Sequence, residues 1–417
     1  ASFLSPKLFV TFWLQKVKVL SVWSIKKLPT KEFLCYNNKV IRFSNTQIQH
    51  MFSNPFPDAF GIDIGDLSVK LVQLRNHSFL HRKPYYKLVT CRSVDLPAGL
   101  IVNGELQKPE EVRKRIMRLL KGTKAQKSVK SPWVVASLPE TQSFIKHIEI
   151  KKSADELIEE DIMLVARKHI PFDEDNYYLQ WQFLPNETGT KDTTNLLIGA
   201  VPKAISDSYT YLMESMGLGV LALEIEALAL ARSMVTAQKK YENEARAILH
   251  ISATRSSLII HDHDIIQFST SLPYSGEILT TALSQKLRIP YEEAEKIKIY
   301  HGTSYKKGND KTWKVVVDFN KQLTDGIKDA LDFYYSHFPD ANKVTRIVMC
   351  GGGSSLKNLD KIISTSLKVV ARPGRPWKNL GGKRENSMPV EKSLSYAGAI
   401  GLALRAADNP FFTNDII

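Results

Sequence analysis

Residues 60–74, FGIDIGDLSVKLVQL, set two short runs of strand-forming residues on either side of a tight turn of Gly, Asp and Ser. A hairpin of this kind turns its backbone N–H groups into one concavity, which suits a phosphate. Gly65 lets the backbone turn tightly and come close to a ligand. Asp63 ends the first strand, where a carboxylate can hold a hydrated Mg²⁺, and Lys70 can reach back toward phosphate oxygens. Surface hairpins with an acid are common, so the signal becomes specific only with a second ligand-facing loop downstream.

That loop lies at residues 350–359, CGGGSSLKNL, where a strand runs into Gly351, Gly352 and Gly353 and then a helix. Glycines expose backbone to a ribose or phosphate, and a helix start favours anions; a plain strand-to-helix turn looks the same. Glu295 and Lys298 stand three apart on one helical face, as an exposed ion pair or as groups facing a ribose and base. Glu224 and Glu226 flank a short apolar strand. A second meander offers another phosphate loop at residues 249–257, LHISATRSS, with Thr254 and serine hydroxyls but no glycine or carboxylate. His261 and His263 bracket a turn and are expected at the surface. Metalloprotease, hydrolase-elbow and P-loop motifs are all absent from the sequence.

From residue 60 onward, short apolar runs alternate with helical periods, which indicates an α/β protein. Helices are expected over 109–120, from Ser153 as cap with Glu156 in the capping box to 169, and over 202–216, 226–240, 276–287, 291–300 and 319–336. Strands are expected over 131–138, 144–150, 177–184, 195–201, 247–252, 256–261, 265–272 and 346–350, with a buried one at 221–225. A last helix, 394–406, is rich in Ala and Gly and must pack closely. A meander followed by helices occurs twice, near 60 and near 247, so two similar halves should enclose a cleft, where pockets favour forming.

A chain of 417 residues needs more than one core. Its net charge of +14 would suggest nucleic acid, but eight cations against Glu32 in the first 50 residues supply half of it. The body is mildly basic, and no nucleic-acid partner is expected. Cys35, Cys91 and Cys350 lie far apart without metal spacing, as in a reduced, cytoplasmic compartment. No run of 18 apolar residues occurs. Residue 1 is Ala and Met51 directly precedes the patterned body, so residues 1–58 are expected to be a basic extension, disordered or non-native.

The succession of GIDIGDLSVKLVQL, VARKHIPFDEDNYYLQWQFL, the segment from IGAVPKAI to EALALAR, LPYSGEILTTALSQKLRIPYEEAEKIK, IVMCGGGSSLKNLD and SYAGAIGLALR resembles the type IV pilus assembly protein PilM family, actin-like relatives of FtsA. The resemblance covers about residues 59–406. It implies an α/β, actin-like fold: two RNase H-like cores facing across a nucleotide cleft, with an inserted 1C subdomain. The boundaries it implies are subdomain 1A from 59–135, 1C at 136–220, the junction and first part of 2A at 221–275, 2B at 276–318, the rest of 2A at 319–390, and a helix returning to 1A at 391–417. It implies ATP and Mg²⁺, with Asp63 on the metal side, Gly65, Ser68, Lys70 and Thr254 near phosphates, Glu295 and Lys298 near ribose or base, and Gly351, Gly352 and Gly353 at the adenosine. It implies a cytoplasmic protein at the inner face of the membrane that grips the N-terminal tail of PilN. Pilus motor or platform proteins and self-association stand as further partners to test.

One departure matters. Family members usually carry Asp-x-Gly where this chain has His250-Ile251-Ser252. The missing carboxylate removes a metal- or water-positioning group, so binding without efficient turnover is expected. Two alternatives remain: an FtsA-like division protein, which would end in a basic amphipathic helix rather than the tail at 408–417, and a small-molecule kinase, which would need a base for its acceptor hydroxyl.

Overall fold

The computed structural model describes residues 34–36, 39–41, 54–56, 58–78, 84–184, 192–237, 239–303, 310–338, 340–381 and 390–408. Most of the basic extension, most of the polar turn NETGTKDTT at 186–194, half of the loop at 301–312 and the tail beyond Asp408 lie outside them. In the N-terminal unit, β1 (Leu34–Tyr36) and β2 (Lys39–Ile41) form a small antiparallel hairpin.

The body begins with β3 (Phe60–Ile64), β4 (Ser68–Asn76) and β5 (Tyr86–Asp95), an antiparallel meander that buries Phe60, Ile62, Val69 and Leu71 in one core and Val72, Leu74 and Tyr86 in another. A two-residue-per-strand ribbon, β6 (Ile101–Val102) and β7 (Glu105–Leu106), leads into α1 (Pro109–Lys121). Pro109 starts this helix because its missing N–H is one that no helical carbonyl would accept. Strand β8 (Trp133–Leu138) then lies parallel to β3.

An inserted module follows: β9 (Phe144–Ile150), α2 (Glu159–His169), β10 (Tyr177–Phe183) and β11 (Thr194–Pro202), with its own core of Ile148, Ile150, Ile162, Ala166, Leu196 and Ile198. Helix α2 starts six residues after Ser153, which lies in a turn instead. Three acids in succession, Glu159, Glu160 and Asp161, define its first turn, where negative charge opposes the helix dipole. Helix α3 (Lys203–Glu214) and β12 (Gly219–Ile225) complete the first lobe. Strand β12 is the sheet edge and is half-buried rather than buried.

Helix α4 (Glu226–Met234) ends six residues before Lys240. Side chains stop it: Lys378 Nζ donates to the Met234 carbonyl and Asn379 Nδ2 to those of Arg232 and Val235. The second lobe repeats the first. Strands β13 (Ala245–Ile251), β14 (Ser256–Asp262) and β15 (Ile265–Leu272) form its meander. Helices α5 (Gly276–Leu287), α6 (Tyr291–His301) and α7 (Asp310–His337) follow, then β16 (Val344–Cys350), α8 (Leu359–Leu367) and β17 (Val370–Pro373). These strands belong to an eight-stranded sheet that continues from β15 into β9, β11 and β10 of the inserted module. Its β17-β16-β13-β14-β15 part corresponds strand for strand to the sheet order β12-β8-β3-β4-β5, with parallel outer strands and an antiparallel meander in both. The two expected halves are therefore one fold used twice.

Helix α7 starts at Asp310, earlier than the expected Phe319, because Thr312, Val316, Phe319 and Leu323 already carry a helical burial period within the strand-like run KVVV. His261 is buried within β14, contrary to the expected surface position, since every residue of that strand is covered on both faces. The chain returns through α9 (Val390–Leu394) to α10 (Ala397–Ala407), which crosses the first sheet. A Cβ at Gly401 would lie 1.8 Å from the Ala229 carbonyl oxygen, and one at Gly61 2.4 Å from Ala403 N. Only glycine permits such close approach of backbones.

Candidate functional site

Two hairpin tips, one from each lobe, meet at the bottom of the cleft. In the first, Gly65 N–H donates to the Ser68 carbonyl at 3.0 Å and closes the turn between β3 and β4. Lys70 sits opposite Asp63 in the register, and its Nζ donates to Ser68 Oγ at 2.8 Å. Asp63 Oδ1 accepts from Ser137 Oγ at 3.1 Å, and that hydroxyl oxygen also accepts from Ile64 N–H. Burial pushes the Asp63 carboxyl above its usual range, and Glu226 adds to the rise while Lys70 opposes it.

The second tip, between β13 and β14, has no glycine. Ser252 substitutes for one by folding its own hydroxyl into the turn, where Oγ accepts from Arg255 N–H and bonds to the Arg255 carbonyl. Helix α5 then docks on this tip: Gly276 N–H donates to the Ser252 carbonyl and Glu277 N–H to that of Ala253. The N-terminal donors of α5 are thus used within the protein.

Asp66 joins the two tips. Its carboxylate accepts from Thr254 Oγ1 at 2.9 Å and from Gly104 N–H at 3.1 Å, and lies 3.4 Å from Arg255 Nη1. It is only 4% exposed. Arg255 reaches on to Thr141 Oγ1 at 3.1 Å, a second bond from the second lobe to the first. Gly104 has φ +81 and its Cβ would lie 2.4 Å from the Pro139 ring, so the N–H that meets Asp66 depends on glycine there.

Around this junction, Glu140 accepts from Ala227 N–H and from Ser269 Oγ, and burial raises its carboxyl to about 7. Glu226, at the start of α4, is also raised by burial. His250 Nδ1 is 3.5 Å from Glu226 Oε1, but burial lowers the imidazole to about 4, so it stands neutral at pH 7. In the doubled topology His250 is the counterpart of Asp63, and Ser252 that of Gly65. The second lobe therefore presents a neutral imidazole where the first presents a carboxyl.

The triple-glycine corner lies against the second tip. Gly351 has φ +86 and donates N–H to the Leu394 carbonyl; a Cβ there would be 2.3 Å from the Ile251 oxygen. A Cβ on Gly353 would be 2.3 Å from Ile251 Cγ2, whereas one on Gly352 would meet nothing within 4 Å. Gly352 alone faces open space. The end of α6 packs beside this corner, with Thr303 N–H donating to the Lys357 carbonyl. Further back on α6, Lys298 Nζ is 2.7 Å from Glu295 Oε2 and donates to the Gly276 carbonyl and Thr280 Oγ1. The Glu295–Lys298 ion pair is present and fastens α6 to the first turn of α5.

Asp63, Gly65, Ser68 and Lys70 lie on the first tip, Thr254 on the second, Gly351 to Gly353 against the second tip, and Glu295 with Lys298 on α6 against the first turn of α5. A Cβ at Gly352 would meet nothing within 4 Å, and the Asp66 carboxylate occupies the junction of the two tips. Among the described residues no group of three or more His, Cys, Asp or Glu is placed to hold a metal. Sequence reasoning missed Asp66, Gly104, Ser137, Glu140 and Arg255. An acid in one tip and an arginine in its repeated counterpart was the available signal for the first and last.

Residues 61–407 match the model of a family described as type IV pilus assembly protein PilM. In structure, the chain is similar to a PilM-PilN type IV pilus biogenesis complex, at TM-score 0.70 and 21% identity, covering 85% of this chain and 100% of that one. It is also similar to the ethanolamine utilization protein EutJ from Carboxydothermus hydrogenoformans, at TM-score 0.50 and 14% identity over 84% of this chain and 91% of that one. The cell division protein FtsA of Buchnera aphidicola subsp. Baizongia pistaciae is 22% identical over 192 residues, 40% of this chain. That match spans 45% of the curated relative, less than half its length. The fold is actin-like, as the sequence resemblance implied.

Proposed function

This chain belongs to the type IV pilus assembly protein PilM family, and from that premise we propose that it is a cytoplasmic scaffold of the pilus machinery. In this reading it works at the inner face of the cytoplasmic membrane and holds the N-terminal tail of a PilN-like protein. The observation that carries the reading is the extent of the family match, which runs through both lobes and the inserted module. The structural neighbour solved as a PilM-PilN complex supports the choice of partner. Among the described residues no helix is long and apolar enough to cross a membrane.

The cleft takes ATP in this proposal. Gly351, Gly352 and Gly353 would line the adenosine, with Glu295 and Lys298 toward the ribose. Gly65, Ser68, Lys70 and Thr254 would line the phosphates, and Asp63 would meet Mg²⁺ through water. The bound metal would supply charge neutralisation for the phosphates. Turnover is weak or absent because neutral His250 stands where a second carboxylate would position metal or water.

The test is fluorescence polarisation of a labelled peptide carrying the cytoplasmic N-terminal tail of the partner, titrated with the full chain. Saturable binding supports the scaffold, and its absence with and without ATP would overturn it. Enzyme-rate ATP hydrolysis that disappears in Asp63→Ala would refute the claim of weak turnover.

A further inference from the structure

Residues 112–130 hold eight cations and no acid: Arg113, Lys114, Arg115, Arg118, Lys121, Lys124, Lys127 and Lys130. Residues 51–417 together carry a formal +7, so outside this segment the body is close to neutral. A segment of this charge equals the body's net excess, and it spans α1 and the loop that follows. Lys114, Arg118 and Lys121 recur at helical spacing on one face of α1, opposite the buried Val112, Ile116, Leu119 and Leu120.

These cations do little for the fold. Lys114 pairs with Glu111 at 2.7 Å, Arg113 approaches Glu110 at 3.9 Å, and Arg115 donates to the Asp95 carbonyl. Among the described residues no carboxylate comes within 4 Å of Arg118, Lys121, Lys124, Lys127 or Lys130, all of them exposed. Lysines often cap a helix C-terminus, but here that task is taken. Arg92 donates to the Leu119, Leu120 and Lys127 carbonyls, Gly122 N–H to that of Arg118, and Val129 N–H to that of Leu120. The loop is folded back over the helix end, which gathers its lysines at one place.

We propose that this patch docks on anionic phospholipid headgroups. It rests on the membrane-face reading above and adds a contact that needs no partner protein. Two features favour lipid over nucleic acid. Residues 107–132 contain no Phe, Tyr or Trp, so no platform exists on which bases could stack. Five of the eight cations are lysines, whose hydrated point charges suit a diffuse charged surface better than bidentate recognition. Met117, 43% exposed between Lys114 and Arg118, adds one apolar side chain at headgroup depth.

The test is flotation of the full chain with vesicles of phosphatidylcholine containing phosphatidylglycerol, and with pure phosphatidylcholine. Wild type, a Lys121→Glu/Lys124→Glu/Lys127→Glu variant and a Lys311→Glu/Lys314→Glu/Lys321→Glu control on α7 are compared. All three keep the basic first 50 residues, the two variants make the same charge change at different places, and all six positions are exposed, so folding is spared. Each lysine near an anionic surface contributes on the order of fivefold, so the patch variant should lose about a hundredfold in partitioning while the control stays near wild type. Binding by wild type should vanish on pure phosphatidylcholine. Equal loss in both variants, no loss in the patch variant, or binding to a single-stranded RNA tighter than to vesicles at the same salt would overturn the proposal. Peptide-tail binding is unaffected by these outcomes, so the two readings fail separately.

Discussion

Asp66 and Thr254, 188 residues apart, are joined by a 2.9 Å hydrogen bond across the cleft, with Arg255 3.4 Å from the same carboxylate. A carboxylate that accepts from a hydroxyl and a backbone N–H beside a guanidinium makes the contacts that a phosphate oxygen would make at such a junction. The lobes are thus fastened at their tips by a side chain of the protein itself.

Replacing that side chain should favour nucleotide. Asp66→Ser frees Thr254 and Arg255 and removes a negative charge from the phosphate end, so affinity for a fluorescent ATP analogue with Mg²⁺ should rise about tenfold, or about 1.4 kcal/mol. An unchanged or weaker affinity would mean that Asp66 does not compete for the site.

The three glycines should separate by function. Gly351→Ala forces a side chain into φ +86 against the Ile251 carbonyl and should lower stability by roughly 2 kcal/mol or more. Gly352→Ala meets no atom within 4 Å, so it should melt like wild type yet bind nucleotide less well. Thermal melts paired with nucleotide titrations check both halves, and a Gly352→Ala protein with normal affinity would place the purine elsewhere.

Glu224 lies fully buried between Arg232, at 2.6 and 2.9 Å, and Arg405, at 3.1 Å, tying β12, α4 and α10 together. Burial pushes its carboxyl up, but the two guanidiniums outweigh this and hold it below the usual range. Glu224→Gln leaves two buried cations without a counter-charge and should cost about 3–5 kcal/mol in urea unfolding. A loss below about 1 kcal/mol would show that water or a rearranged neighbour neutralises them.

Two buried histidines should each subtract from stability as pH falls below neutral. Burial lowers both His250 and His261 to about 4, against about 6.5 in the unfolded chain. Between those values the unfolded chain binds the extra protons, so each histidine's contribution is lost as pH falls from about 6.5 toward 4. Glu140, raised to about 7, works the other way over its upper part of the range, since the folded chain then holds the proton. Asp63 and Glu226, also raised by burial, act in the same sense as Glu140, so the histidine share is read as the difference between wild type and a histidine variant in urea midpoints at pH 7, 5.5 and 4.5. His261→Gln should flatten that acid limb by up to about 3 kcal/mol, and an unchanged slope would contradict the assignment.

Local pattern was enough to read much of this molecule. The expected bounds of α5 match the structure to the residue and those of α6 to within one, because periodicity, Pro290 and the capping Ser275 all act within a few residues. The glycine corner was legible for the same reason. The end of α4 was not, since its terminating donors, Lys378 and Asn379, come from more than 140 residues away. The start of α7 was misread because KVVV favours a strand locally, and only burial of Val316 and Phe319 against the second lobe makes it helical. His261 looked like a turn residue and is covered by strands and a helix that no short window contains.

What the chain determined by itself is the doubled α/β architecture and the two glycine-bearing turns, since alternation, helical period and backbone freedom are properties of neighbouring residues. The tertiary structure alone decided that Asp66 meets Thr254 and Arg255, and that His250 is held neutral beside Glu226. Those outcomes depend on the charge and desolvation that each group experiences once the two lobes close on one another, and distance along the chain carries no record of either.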